Sequence, residues 1–370
     1  MDFPRTIDEI TPEWLTQVLR ENGAISDAVV TSHRFENLDG QGNWSEIRRL
    51  VPEYSKPESG GPRSMIVKIG INIEGSEQNP TLHREIAVVN EREVRFYQDF
   101  AAECGLNTPK NYFSAYDPET AEAIYLLEDS GHLKTIDKAD SCSLDDGRAA
   151  LLSLANMHRT WWDSEQVGKQ LWLRNYGANI PPKLAQEWFE QRIDSFFEMG
   201  GDSVPKGLES IARKFLPKLI EVAAEVATAP VTLSHGDYQP TNMFFDDSQD
   251  IENRVVVFDW QTAGRVRCSE DVSSFIASGF DVASRREYEQ QLLAEYHSVL
   301  LDGGVTGYSY DEFQNDFRLS LLLNMVKRIN STVRNIEASQ RNEEILAHEM
   351  GIAERLQVVV DWNCDEVIPK

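Results

Sequence analysis

The residues best suited to do chemistry lie in two short runs, SHGDYQPTNMFFDD at 234–247 and VVVFDWQ at 255–261. Asp237 and Asn242 stand five apart across a loop containing Pro240, and the apolar Met243, Phe244 and Phe245 that follow read as a short strand. Val255 to Phe258 reads as the second strand of the same hairpin, ending at Asp259. Such a loop can aim one carboxylate at a substrate hydroxyl and one amide oxygen at a cation held on nucleotide phosphates. Mg²⁺ prefers hard oxygen donors and usually takes only one or two from the protein. Asn242 and Asp259 fit as its ligands, with Asp237 as the base of a phosphoryl transfer. Either HGD or DW alone is an ordinary solvated turn; the joint spacing carries the reading. His235 reads as a hydrogen-bonding scaffold for the loop. Asp271, in Ser269-Glu270-Asp271, reads as a helix cap or as a tether for that loop, structural in either case.

The elements that must position these residues change character along the chain. Residues 7–22 have helical spacing after a Thr11-Pro12 start, then 29–35, 46–51 and 64–71 read as strands, with 52–63 a polar hairpin loop. A long helix is expected over 82–103 and a strand over 123–128. Beyond Leu144 the pattern is helical over 145–163, 184–198, 205–228, 283–303, 309–335 and 342–360, interrupted by the motifs at 234–261. At 370 residues, two lobes are expected: a small, strand-rich lobe at 1–128 and a larger helical one at 129–370.

Composition excludes several classes. An apolar fraction of 41% supports a packed core, no apolar run reaches the ~18 residues that span a bilayer, and MDFPRTIDEI lacks the pattern of a signal peptide. A cytoplasmic protein without a membrane segment is expected. Cys104, Cys142, Cys268 and Cys364 are far apart and imply neither a zinc site nor a disulfide scaffold. The net charge of −25 argues against nucleic acid or an anionic membrane as partner. The acidic residues are dispersed, as in Glu74, Glu77, Glu85, Glu91 and Glu93, which suits a solvated surface better than a polycation site.

HGDYQPTN followed by VFDWQ resembles the aminoglycoside phosphotransferase and choline kinase superfamily, and Gln261 after Asp259-Trp260 is similar to the ecdysteroid kinase-like branch. Glu93-Val94-Arg95-Phe96-Tyr97, the stretch 126–129 (LLED), Leu154 to His158 with Trp161-Trp162, and Ser269 to Val272 resemble further landmarks in family order, so the likeness runs from about residue 30 to 335. It implies an α+β, bilobal, protein-kinase-like fold and a kinase that uses ATP or GTP with Mg²⁺.

The resemblance also implies roles in the first lobe. Lys68 is a charged residue in the apolar run Met65 to Ile69 and needs a partner; among Glu85, Glu91 and Glu93, only Glu93 precedes Phe96-Tyr97 at the family spacing. The pair resembles the one that holds nucleotide phosphates in kinases. Gly40, Gly42 and Ser45, between two expected strands, suit a loop whose backbone approaches phosphates. Leu127 and Asp129 fall at the hinge, where backbone groups meet the adenine and side chains need not matter. The acceptor is a small-molecule hydroxyl, a neutral or lipophilic alcohol ahead of a cationic aminoglycoside, macrolide or choline, with aromatic surface from Trp172, Trp188, Phe189, Phe196, Phe197 and Tyr308. A protein kinase is disfavoured because no H-R-D arginine and no A-P-E segment are present. An inactive scaffold is disfavoured because base, metal ligands and lysine are all present.

Overall fold

Met65, Val67 and Ile69 are buried while Ile66 and Lys68 are only partly covered, the period of two that a strand imposes. This strand is central in a computed structural model that describes residues 3–38, 45–56, 60–70, 80–175 and 181–370, with the side chains of 80–82, 84 and 85 outside the description. The chain divides into two compact units, one comprising Met1–Glu103, Thr108–Leu133 and Val257–Thr262, the other Cys104–Asn107, Lys134–Val256 and Ala263–Lys370.

In the first unit, β1 (Val30–Asn37), β2 (Ser45–Tyr54), β3 (Met65–Gly70), β4 (Asn111–Tyr116) and β5 (Ala123–Glu128) form an antiparallel sheet in the order β1-β2-β3-β5-β4. Helix α1 (Pro12–Glu21) covers one face. Its N-cap Thr11 accepts from Trp14 N at 3.2 Å, Pro12 occupies the first turn, and Leu15, Val18 and Leu19 join Leu50, Met65, Val67, Ile69, Ile124 and Leu126 in one apolar cluster. Lys68 and its neighbour across the strands, Tyr125, face the other way toward α2 (Pro80–Asp99), where Tyr125 Oη donates to Asn90 O at 3.0 Å. Strand β4 has no counterpart in the sequence reading. A register shift between Asn111 and Phe113 breaks its alternation, and of its six residues only Ser114 is buried.

The second unit is helical around two small β ladders. Helices α3 (Leu144–Thr160), α4 (Glu165–Gly168), α5 (Pro182–Gly200), α6 (Leu208–Phe215) and α7 (Leu219–Val226) precede β6 (Thr232–Ser234), β7 (Met243–Phe245), β8 (Val255–Val257) and β9 (Gly264–Val266), in which β6 pairs with β9 and β7 with β8. Helices α8 (Ser269–Gly279), α9 (Val282–Asp302), α10 (Tyr310–Ala338), α11 (Glu343–Ala353) and α12 (Gln357–Asp361) follow. The single helix expected over 205–228 is two, because Pro217 has no N–H to give and a 3₁₀ turn, Leu216–Lys218, takes its place. Helix α10 opens with a capping box between Ser309 and Glu312. Phe189, Phe196, Phe215, Phe275, Tyr296, Phe313 and Phe317 are buried together with the aliphatic faces of these helices. Among the described residues no helix is long and apolar enough to cross a membrane. All four cysteines are buried and free.

Candidate active site

Strand β6 delivers the chain to the loop at 235–242, which is held by its own backbone. His235 N and Gly236 N each donate to the Asp271 carboxylate at 2.8 Å, and Gly236 adopts φ +80°, a left-handed conformation that glycine takes without strain. Asp271 lies in the first turn of α8, fully buried. His158 Nε2 is 3.3 Å from it, and His158 Nδ1 meets Tyr296 Oη at 2.6 Å. Burial alone would raise the Asp271 pKa, but the bond to His158 and the charges and amides around it bring it down to about 2. The N-cap position of α8 belongs to Cys268, so of the two structural readings of Asp271 the geometry is that of the loop tether. His235 is buried, and its Nδ1 accepts from Asp237 N at 3.3 Å.

Within the loop, Asp237 Oδ2 accepts from Gln239 Nε2 and from Asn242 Nδ2, both at 3.0 Å, and Asn242 Nδ2 also donates to Asp237 O at 2.9 Å. With its nitrogen so engaged, Asn242 turns its oxygen free. Among the described residues nothing donates to Asp237 Oδ1 or to Asn242 Oδ1. One carboxylate oxygen and one amide oxygen are thereby left for ligands.

In the first unit the turn of α2 that carries Glu-x-x-Phe does two tasks three residues apart. Glu93 binds Lys68 at 2.6 Å, and Phe96 stacks on Trp260 with centroids 3.6 Å apart and planes 5° from parallel. Trp260 is fully buried and donates to Val257 O at 3.1 Å. The stack fixes the turn in which Asp259 adopts φ +66°, an uncommon conformation for a non-glycine residue. Asp259 Oδ1 then lies 3.6 Å from Lys68 Nζ, too far for a hydrogen bond, and is buried without a donor, while Oδ2 accepts from Gln261 at 3.3 Å. Burial works against the Lys68 charge, but Glu93 and Asp259 outweigh it and hold its pKa above the usual range. Replacing Phe96 by alanine should lower stability by about 3–5 kcal/mol, the scale for a buried aromatic truncated in a close-packed site. Denaturant unfolding measures it, and a loss below about 1 kcal/mol would mean that the stack does not hold the turn.

The residues suit a hard divalent cation. In the first unit Asp259 leaves an orphaned buried carboxylate oxygen, and in the second Asn242 leaves an amide oxygen without a donor among the described residues; each by itself is a donor of the type that Mg²⁺ takes. Residues 39–303 match the profile of the family described as ecdysteroid kinase-like. The chain belongs to that family. No curated protein matches it. Its fold is that of solved protein-kinase-like phosphotransferases. The GDP complex of an aminoglycoside 2'-phosphotransferase-IIIa is 10% identical with a TM-score of 0.54 over 94% of this chain and 99% of that one. An amicoumacin kinase in complex with AMP-PNP, Ca²⁺ and Ami is 13% identical with a TM-score of 0.51 over 94% and 96%.

The remaining expected positions of this ecdysteroid kinase-like protein fall as follows. Gly40 and Gly42 lie outside the described residues. Ser45 is buried and opens β2 opposite Gly70. Glu91 is engaged with Arg95 at 2.7 Å and so is not the partner of Lys68. Leu127 is buried in β5 opposite Ile66. The Asp129 side chain does more than the resemblance implies. It accepts from Arg49 Nε and Ser64 Oγ at 2.6 Å and from Gly131 N at 3.0 Å, tying β2 and the entry to β3 to the segment after β5. Burial would raise its pKa, yet these donors keep it below the usual carboxylate range. Two glutamines, Gln239 and Gln261, have a hydrogen-bonding role that the sequence reading did not assign. Gln239 and Gln261 each stand two residues after a site carboxylate and donate to it, and the repeated D-x-Q spacing in both motifs was the available signal.

Proposed function

We propose that this ecdysteroid kinase-like chain is an ATP- and Mg²⁺-dependent phosphotransferase that phosphorylates a hydroxyl group of a small molecule in the cytoplasm. The observation that carries the reading is the buried, donor-free Oδ1 of Asp259, 3.6 Å from a lysine fixed by Glu93. A buried carboxylate oxygen with no hydrogen-bond donor is costly unless a ligand meets it. Lys68 grips nucleotide phosphates, with Gly40, Gly42 and Ser45 offering backbone and Leu127 and Asp129 marking the hinge. Asn242 and Asp259 would hold Mg²⁺, which would supply charge neutralisation for the transferred group. Asp237 orients the acceptor hydroxyl at its free Oδ1 and takes the proton as the hydroxyl oxygen bonds to the γ-phosphorus and the bond from that phosphorus to the departing ADP breaks. His235 and Asp271 keep the loop in shape. In this reading the nucleotide-clamping lobe is 1–128 and the acceptor lobe 129–370. ATP is preferred, with GTP the alternative that a similar fold solved with GDP keeps open. A screen of ADP release across alcohols, with mass spectrometry for the added HPO₃, tests the reaction. No ADP above the acceptor-free rate with any alcohol class would overturn it.

The acceptor reading favours a neutral or lipophilic alcohol over a polycation, because the acidic residues are scattered and Gln261 belongs to the family's own pattern. If the −25 charge steered a polycation, kcat/KM would fall steeply with salt, since steering is screened beyond ~8–10 Å. We expect no steep fall between low and physiological ionic strength, measured on whichever alcohol gives the fastest ADP release. A preference for kanamycin-like amines over sterol-like alcohols would reverse the choice.

A further inference from the structure

Helix α10 carries a polar stripe at positions four apart. Ser320 Oγ meets Ser269 Oγ at 2.8 Å and Asn324 Nδ2 donates to Ser273 Oγ at 2.7 Å, both on α8, the helix whose Asp271 holds the 235–242 loop. Two turns beyond Asn324, Thr332 Oγ1 donates to Glu349 Oε2 at 3.3 Å, and Asn335 Nδ2 donates to Glu349 Oε1 at 3.0 Å. Arg328 occupies the position between these rows, on the same face. Its guanidinium makes no hydrogen bond or ion pair among the described residues. Its electrostatic neighbours are the carboxylates of Glu349 and Asp237 and the guanidinium of Arg355.

Each of those neighbours is bonded elsewhere. Glu349 is shared by Lys138, Asn335 and Thr332, Asp237 Oδ2 by Gln239 and Asn242, and Arg355 donates to the carbonyls of Ser278, Ala139 and Asp140. Arg328 is therefore a partly buried cation left with its donors unspent, and burial pulls its pKa below the usual range while the two carboxylates resist. A guanidinium presents a planar fork that fits a carboxylate or phosphate.

We propose that Arg328 is the anion-binding residue of the acceptor site, which replaces the wholly neutral alcohol favoured above by one that carries a carboxylate or phosphate group and is phosphorylated beside Asp237. This rests on Asp237 being the base of the reaction proposed above. The anion fills the donors of Arg328 and sets the hydroxyl against Asp237 Oδ1. It also separates this chain from acceptors recognised by their amines.

The test is binding, independent of turnover. Inorganic phosphate and acetate are titrated, at constant ionic strength, into the whole chain and into Arg328→Met, Arg328→Lys and Asp237→Asn, with melting curves to verify folding. One saturable Arg328-dependent site is expected. Its affinity should fall tenfold or more in Arg328→Met and by a smaller factor in Arg328→Lys, which keeps the charge without the fork. It should rise severalfold in Asp237→Asn, where a repelling carboxylate is removed, a change that a structural arginine would not produce. The tighter of the two anions names the acceptor's group. Equal affinity in the whole chain and both Arg328 variants, or no saturable binding of either anion, overturns the inference. ADP release on the same preparations keeps the two readings apart. Turnover without Arg328-dependent anion binding sinks this inference alone, whereas anion binding without any turnover sinks the kinase and leaves an anion site.

Discussion

Asp237→Asn should lower turnover by roughly 10²-fold or more, the scale of a lost general base, while Mg·ATP still binds. The carboxamide can keep its oxygen toward Gln239 and Asn242, the two donors now satisfied by Asp237 Oδ2. Its NH₂ then stands where Oδ1 stood, a position that can donate to a hydroxyl but cannot take its proton. The loop's backbone bonds to Asp271 do not involve the substituted group, so the melting temperature should hold. Steady-state ADP release with a working acceptor, alongside calorimetric titration of Mg·ATP, makes the measurement. Near-normal turnover would remove Asp237 from the role of base.

Asp259→Ala should abolish activity and weaken nucleotide binding only when Mg²⁺ is present, because in the proposed reaction the carboxylate acts through the cation. Lys68 should keep its 2.6 Å bond to Glu93 in the variant, so the grip on phosphates proposed for the lysine should survive without the metal. The alanine must also adopt the left-handed conformation that Asp259 takes at φ +66°, and the Phe96–Trp260 stack is what holds the turn there. Calorimetry with and without Mg²⁺ separates the causes. An equal loss in both conditions would be falsifying evidence for the metal role and would point to a collapsed turn.

The sequence determined a good deal by itself, for reasons of local chemistry. The apolar run Met65 to Ile69 read as a strand with one out-of-place lysine, and Thr11-Pro12 marked the start of a helix, and both elements are present. The D-x-x-x-x-N loop followed by a hairpin and a second aspartate was legible because loop, strand and spacing are all contiguous in the chain. Strand β4 was not legible, since its bulged register leaves no alternation to read, and the helix over 205–228 was overextended because apolar spacing continues through Pro217.

What only the tertiary structure decided are relations between distant residues. Asp129 reaches Arg49 and Ser64 across the sheet, and Phe96 stacks on a tryptophan far along the chain. Tyr296 meets the His158 ring, which in turn meets the aspartate that holds the loop. Arg328 shows the limit most plainly. In the sequence it is one basic residue in a long helix, alike in type to Lys327 beside it, which pairs with Glu270 at 2.7 Å. A side chain's charge is written in its own residue, but whether that charge is paired, solvated or left waiting depends on which groups the fold brings to it. Periodicity along the chain carries no record of that.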